Sequence, residues 1–386
     1  MVTGGGSGGH ITPLLAVASE LKRLEPAAHI VYIGQRGDRL GRVVAEHGAI
    51  DGTTFIWAGK FRRYHGEGWR QLLDLKTWLF NIRDAFLFGL GTIESIWKIA
   101  KLKPDVVFIK GGFVGVPVGL AAALWRIPYI THDSDALPGL ANRLIARWAR
   151  VHAVGLPAEV YSYPKDKTVT VGVPVVDKFK KVNTSDQVAY KQAIGLADAE
   201  QIVFITGGGL GAQRLNMAMV AIASKLLGNF PGLHIVHATG HKNHATVDSA
   251  YAAVLPTKDQ KRLHTMDYVQ DLYRYSGAAD VVVARAGATN MAELAVQAKA
   301  SIVVPNPTLT GGHQIHNALT YEQAHAAKVI KEMELQKTPD VLYTTLAELL
   351  SSEKTRKALG EALHGLAHQN AAGDLAKLLI EQGKAG

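Results

Sequence analysis

The sequence predicts an α/β protein made of two doubly wound domains, and three features of the chain predict it. Apolar runs of strand length alternate with stretches of helical period almost throughout, the pattern of a parallel sheet covered on both faces. A glycine turn opens the chain in MVTGGGSGGHITP, and a second, GGGLGAQ, follows an apolar run about two hundred residues later. Repeating one strand–turn–helix device at that interval implies two similar domains facing one cleft. At 386 residues and 47% hydrophobic content the chain is long enough for both cores.

The elements follow in order. Thr12 and Pro13 read as an N-cap and first helical residue, with Leu14, Val17, Leu21 and Leu24 at helical spacing behind them. HIVYIG (29–34), PDVVFIKGG (104–112) and PYITHDS (128–134) read as strands with helical patterns between them. In the second half QIVFIT (201–206), LHIVHATG, ADVVVARAG and ASIVVPNP continue the alternation. The join falls between VGVPVVDKF (171–179) and the polar stretch running to Glu200. A last helical stretch over 349–382 is long enough to pack across it. Only Met1 and Val2 precede Thr3, so most of the first strand is absent and a clipped or misassigned start is expected.

Composition narrows the function classes. The net charge of +9 points to an anionic partner without naming one. The absence of cysteine excludes a disulfide framework and a zinc–thiolate site. The charge-free runs 85–93 and 111–125 are shorter than the roughly twenty residues of a spanning helix.

Gly4, Gly6 and Gly9 fit G-x-G-x-x-G, and Gly207, Gly209 and Ala212 fit its alanine variant. Glycine matters there because backbone N–H groups at a helix start approach a phosphate closely only where no Cβ intervenes. A dinucleotide fold would also place an acidic residue at the end of the second strand, and here Gly34, Gln35 and Arg36 stand there. NAD is disfavoured and NADP survives only through Arg36. A P-loop fails because His10 and Ile11 replace lysine and the hydroxyl residue. His10 is either a packing residue at the helix start or, at the rim of a phosphate turn, a general base.

As a set, GGGSGGHITPLLAVA, KPDVVFIKGGFVGVPVGLAA, PYITHDSDALPGLANRLIA, GGGLGAQRLN, ADVVVARAGATNMAELA and GGHQIHNA resemble the landmarks of the MurG family, in order and over most of the chain. The resemblance implies the GT-B architecture, two Rossmann-like domains with the donor UDP-N-acetylglucosamine held mainly by the second. It implies domains at 1–177 (acceptor and membrane docking) and 178–366 (UDP-sugar binding), with 367–386 a helix returning toward the first. It places Ser7, Gly8 and Gly9 beside the donor's sugar and diphosphate, with His10 the family's histidine. Val269 stands where a backbone contact reads the uracil. Ala288, Thr289, Asn290, Met291, Ala292 and Glu293 match the turn and helix start that hold diphosphate and ribose, Glu293 accepting from the ribose hydroxyls. Gln314 matches a glutamine on the sugar.

The chain departs from the family at several positions. His132, Asp133, Ser134 and Asp135 stand for HEQN, so an asparagine at the donor sugar becomes Asp135. Gly172 to Val176 replace GNPVR and lose an arginine, while Gly209 and Leu210 replace a serine and a glutamine. Asp133 and Asp135 form D-x-D, which holds a metal in another transferase architecture; here it reads as a chance match, and no metal or other cofactor is expected. Helix N-termini neutralise the leaving diphosphate instead.

From Lys60 to Lys103 nine lysines and arginines face four carboxylates, interleaved with aromatics. Anionic lipid and single-stranded nucleic acid both suit such a stretch. Trp97 and Phe86 read as core, and KFRRYHGEGW (60–69) as a surface loop. The resemblance favours membrane docking and entry of an undecaprenyl-linked acceptor at the cytoplasmic face, with no nucleic acid expected. The resulting reading is an inverting transfer of N-acetylglucosamine to lipid I, giving lipid II, with His10, Asp133 or Asp135 as base. A related GT-B transferase with another acceptor or sugar nucleotide, an NADP-linked oxidoreductase and a binding protein without strong catalysis are the alternatives.

Overall fold

The computed structural model describes residues 1–5, 8–38, 40–59, 75–208, 212–308 and 312–384. The chain forms two compact units, Met1–Val176 with His368–Gly386, and Asp177–Ala367.

In the first unit the strands are β1 (Val2–Thr3), β2 (Val31–Gln35), β3 (Gly52–Ile56), β4 (Val107–Ile109), β5 (Tyr129–Asp133), β6 (Val151–Val154) and β7 (Thr168–Thr170). They make one parallel sheet in the order β3-β2-β1-β4-β5-β6-β7. The chain runs outward from β1 to β3, then returns to β4 on the other side of β1. That reversal is the switch point at whose carboxyl edge ligands bind in open α/β sheets. Short as it is, β1 is paired on both sides: Val2 lies opposite Tyr32 and Phe108, Thr3 opposite Ile33 and Ile109.

The sheet is flanked by α1 (Gly8–Leu24), α2 (Leu40–Ala45), α3 (Leu75–Leu102), α4 (Gly115–Leu124) and α5 (Leu140–Ile145). Contrary to the Thr12 cap read from sequence, α1 begins at Gly8 and carries Pro13 inside it. The carbonyl that Pro13 cannot satisfy belongs to Gly9, which is exposed to water, so the cost of an internal proline is reduced.

Phe86 and Trp97, expected in the core, are 67% and 61% exposed. The reason is helical phase. Asp84, Gly91, Ser95 and Ile99 form the buried face of α3, and Ile82, Phe86, Ile93 and Trp97 lie about half a turn away. Gly91 lets the helix approach backbone to backbone, since a Cβ there would stand 1.7 Å from the Trp57 carbonyl oxygen. The loop 60–69 lies outside the described residues.

The second unit holds β8 (Gln201–Thr206), β9 (Leu233–Ala238), β10 (Leu263–Met266), β11 (Val281–Ala284), β12 (Ser301–Val303) and β13 (Lys328–Val329), again all parallel, in the order β10-β9-β8-β11-β12-β13. Its switch point is β8 beside β11. Its helices are α6 (Thr184–Ala193), α7 (Gln213–Asn229), α8 (His244–Val254), α9 (Thr257–Gln260), α10 (Leu272–Ala278), α11 (Ala288–Val296), α12 (His313–Gln323), α13 (Glu332–Lys337), α14 (Asp340–Ser351) and α15 (Glu353–His364).

The helical stretch expected over 349–382 is three helices: the end of α14, then α15, then α16 (Ala371–Lys384). Ser352 breaks it by accepting a hydrogen bond from the Thr355 N–H at 3.2 Å, an N-cap that starts α15 afresh. In the first unit α16 packs on α1, with Leu375 and Leu379 buried in that core.

Candidate active site

Two groups of residues occupy the two switch points. In the first unit the chain leaves β1 through Gly4 and Gly5 and enters α1 at Gly8. A Cβ on Gly4 would stand 3.1 Å from the Lys110 Cβ and 3.8 Å from the His10 Cβ, so this bare backbone lets both side chains flank it. Lys110 follows β4, and its N–H donates to the Thr3 carbonyl at 2.9 Å. Gly111 and Gly112 then turn with φ of 106° and 83°, which only glycine adopts without strain. A Cβ on Gly111 would lie 3.6 Å from His10 Nε2 and 3.7 Å from Asn142 Nδ2.

Lys110 is 3% exposed and donates to Ser134 Oγ at 2.9 Å. Burial lowers its pKa to about 8, resisted by the charges of Asp133 and Asp135. His10 is held at about 4, chiefly by burial and then by the Lys110 charge, with Asp135 pulling the other way. At neutral pH the imidazole is therefore uncharged and has a lone pair to offer.

Asp133, at the end of β5, has both oxygens engaged: Oδ1 accepts from the Gly139 N–H at 2.8 Å and Oδ2 from the Tyr163 hydroxyl at 2.8 Å. Burial raises its pKa against these bonds. This carboxylate ties the 133–139 turn to Tyr163, whose ring stacks on His152 at 3.9 Å. His132 Nε2 donates to the Gly172 carbonyl at 2.9 Å, since a carbonyl can only accept. Its Nδ1 is buried with no hydrogen-bond partner among the described residues.

In the second unit the glycine turn after β8 is fastened by Thr206 Oγ1, which accepts from the Gly208 N–H at 3.2 Å. Gly209 and, in the first unit, Ser7 lie outside the described residues. At β11 the chain turns through Arg285, Ala286 and Gly287 into α11, whose first N–H groups receive no side-chain cap among the described residues. Asn317 Nδ2 donates to the Ala286 carbonyl at 3.0 Å. Gln314 Oε1 accepts from the Asn306 N–H at 2.9 Å, and its Nε2 lies 4.0 Å from where a Gly287 Cβ would be. An open helix N-terminus with a side-chain amide beside it is suited to an anion bearing a polar appendage.

Among the residues of that helix start, Thr289, Asn290 and Ala292 are partly exposed while Ala288 and Met291 are buried, leaving Met291 only its backbone to offer a ligand. Glu293 is 8% exposed and burial pushes its carboxyl up to about 8. Val269 lies in the loop between β10 and α10 and packs its side chain against the core.

Behind the turn, Arg285 donates from Nη1 to the Val304 carbonyl at 3.1 Å and from Nη2 to Glu332 Oε1, while Arg214 Nη1 donates to Glu332 Oε2 at 3.0 Å. Sequence reasoning passed over this support and Lys110 alike. The available signal was a charged residue ending an apolar strand, in VVFIK and in VVVAR.

Several buried histidines stay neutral in the fold. Burial lowers His237 to about 3 and His152 to about 4. His237 accepts at Nδ1 from Tyr251 and donates at Nε2 to Asn216 Oδ1, whose Nδ2 is spent on the Thr239 carbonyl. Between pH 6.5 and 4 the unfolded chain binds protons these rings refuse, so stability falls as pH falls through that window. Each ring contributes up to about 1.4 kcal/mol per pH unit. Glu293 opposes them: its raised pKa adds stability below pH 4.5 that is lost as pH rises through about 8, and Asp133, also raised by burial, acts in the same direction. With His10 and His132 also depressed, the four histidines outnumber these two carboxyls. Urea melts are expected to show lower midpoints at pH 5 than at pH 7; equal midpoints would contradict the assigned protonation states.

Two doubly wound sheets, each with a glycine-lined turn at its switch point and one with an open helix N-terminus, define the class: the two-domain α/β architecture of nucleotide-sugar transferases. The chain belongs to glycosyltransferase family 28, matching its N-terminal domain over residues 1–154 and its C-terminal domain over residues 202–379. A relative from Symbiobacterium thermophilum is 32% identical over 98% of this chain and 95% of its own length. It is named as a UDP-N-acetylglucosamine–N-acetylmuramyl-(pentapeptide) pyrophosphoryl-undecaprenol N-acetylglucosamine transferase. Among solved structures, Acinetobacter baumannii MurG superposes with a TM-score of 0.72 at 24% identity, covering 99% of each chain. A UDP-GlcNAc 2-epimerase from Neisseria meningitidis, bound to UDP-GlcNAc, gives 0.62 at 15% identity, covering 100% of this chain and 99% of its own. Both structural likenesses bear on the fold.

Proposed function

We propose that this chain is an inverting transferase that moves N-acetylglucosamine from UDP-N-acetylglucosamine to N-acetylmuramyl-(pentapeptide) pyrophosphoryl-undecaprenol, the step from lipid I to lipid II in peptidoglycan synthesis. The observation that carries this reading is the end-to-end likeness to a relative of that name, 32% over 98% of the chain. The site geometry agrees with it. The acceptor hydroxyl oxygen bonds to the anomeric carbon, the bond from that carbon to the diphosphate breaks, and the electron pair leaves with UDP. His10, unprotonated at neutral pH, takes the hydroxyl proton as the new bond forms. The open start of α11 faces the charge that develops on the diphosphate, and Gln314 and Glu293 hold sugar and ribose. Ser7, Gly8, Gly9, Asp135, Gly209 and the Val269 backbone complete the donor contacts in this reading.

The acceptor is lipid-linked, and α3 suits a lipid surface. Ile82, Phe86, Ile93 and Trp97 form one exposed stripe along it, and Lys101 Nζ stands 5.3 Å from the Trp97 ring. Trp125, exposed at the end of α4, donates from Nε1 to the Ile96 carbonyl and extends the same apolar surface. Among the described residues no helix is long and apolar enough to cross a membrane. The reading is therefore peripheral docking on anionic lipid at the cytoplasmic face.

Calorimetric titration with UDP-N-acetylglucosamine and with NADPH tests the donor class, followed by transfer of labelled sugar to a lipid-linked acceptor in anionic vesicles. Donor binding and labelled product are expected. NADPH binding would favour an oxidoreductase, and binding of neither would sink both readings.

A further inference from the structure

The cation beside His10 has no part in the roles assigned so far, yet its placement is specific. Lys110 is buried just after β4, where it flanks Gly4 together with His10. Its ammonium reaches across to Ser134 Oγ on the turn after β5, the turn that carries Asp135. That turn is held at its other side by Asp133, through Gly139 and Tyr163. A lysine buried to 3% exposure is costly unless its charge is compensated, and here Asp133 and Asp135 offset part of that cost. The charged groups bearing on His10 are thus Lys110 from β4 and Asp135 from the turn after β5, with opposite effects.

We propose that Lys110 is a positioning residue for the transfer: its ammonium, bonded to Ser134 Oγ, fixes the Ser134–Asp135 turn beside His10 and balances the Asp135 charge at that ring. The inference rests on His10 as the proton acceptor. Without a cation at 110, Asp135 would dominate the field at the ring, and His10 would hold a proton at a higher pH. The base would then fill at a pH about one unit higher, so the acid limb of turnover moves up while the rate at neutral pH stays near wild type.

The test follows the His10 ring itself by NMR titration, in the wild type and in Lys110→Met and Lys110→Arg, alongside pH profiles of kcat/KM. In Lys110→Met the His10 pKa is expected to move up by roughly one pH unit, a tenfold change in proton affinity. Lys110→Arg, which keeps the charge, should stay near the wild type. The acid limb of kcat/KM should move with the ring. An unchanged His10 pKa in folded Lys110→Met overturns the proposal. A ring that shifts while the acid limb stays put leaves Lys110 controlling His10 and instead removes His10 as the base. If Lys110→Met fails to fold, Lys110→Gln serves as the uncharged variant, read by the same criterion.

Discussion

Replacing His10 by alanine is expected to lower kcat by about 10²–10⁴-fold while leaving the affinity for UDP-N-acetylglucosamine within a few-fold of wild type. The two effects separate because the ring's proposed work is done in the transition state. A donor-binding role would change affinity and turnover together. The pH profile gives an independent check. With the imidazole held at about 4 by burial and Lys110, it is unprotonated across the neutral range. The profile of kcat/KM should then run flat from about pH 8 down to about pH 5 and bend only below that, where an unperturbed histidine would bend it near 6.5. Short assays with donor-binding controls distinguish this limb from acid unfolding. Wild-type turnover in folded His10→Ala would remove the ring from the mechanism.

The strands that sequence reasoning found and those it missed differ in one physical respect. β2, β4, β5, β8, β9, β11 and β12 announce themselves as apolar runs because a parallel strand with neighbours on both sides and helices on both faces meets little water. Four of the five missed strands, β3, β7, β10 and β13, are the sheet edges. Their residues GTTFI, TVT, LHTM and KV are mostly partly exposed, so no apolar run is required of them. The fifth, β6, is interior but its VHAV is interrupted by His152, a polar residue accommodated by Thr131 Oγ1 at 2.8 Å and by the Tyr163 ring.

The candidate site divides along the same line. The order strand, glycine, helix after β1 and after β8 was legible because backbone approach and chain order impose it, and the helix start at Ala288 was legible only through the family resemblance. The pairings of Lys110 with Ser134, Asp133 with Tyr163 and Arg285 with Glu332 were not, since they join residues 24 to 47 positions apart that no local pattern links. Trp97 and Phe86 failed for a different reason: hydrophobicity was read as burial, while the helical phase of α3 puts both on the outer face.

Glu332→Ala is expected to be the most destabilising of these substitutions. Glu332 is 4% exposed and its two oxygens accept from two different arginines. Removing it leaves the Arg285 guanidinium, itself 7% exposed, with the Val304 carbonyl but no counter-charge. Stranding one partner of a buried ion pair costs about 3–5 kcal/mol, far more than the intact pair contributes over an apolar substitute. For a unit of this size that corresponds to a fall in Tm of roughly 6–20 °C. The Arg214 side chain is 49% exposed, so Arg214→Ala should cost about 1 kcal/mol or less although it breaks a bond to the same carboxylate. The contrast between the two variants tests the argument, because a contact tally would rank them close together. A functional consequence comes with the thermal one: Arg285 leads directly into Ala286 and Gly287, so a loosened guanidinium frees the turn that opens α11. Donor affinity should fall several-fold in Glu332→Ala at temperatures where the protein is still folded, and remain near wild type in Arg214→Ala. A Glu332→Ala protein that melts with the wild type would show that Arg285 finds another partner and that the turn does not depend on this carboxylate.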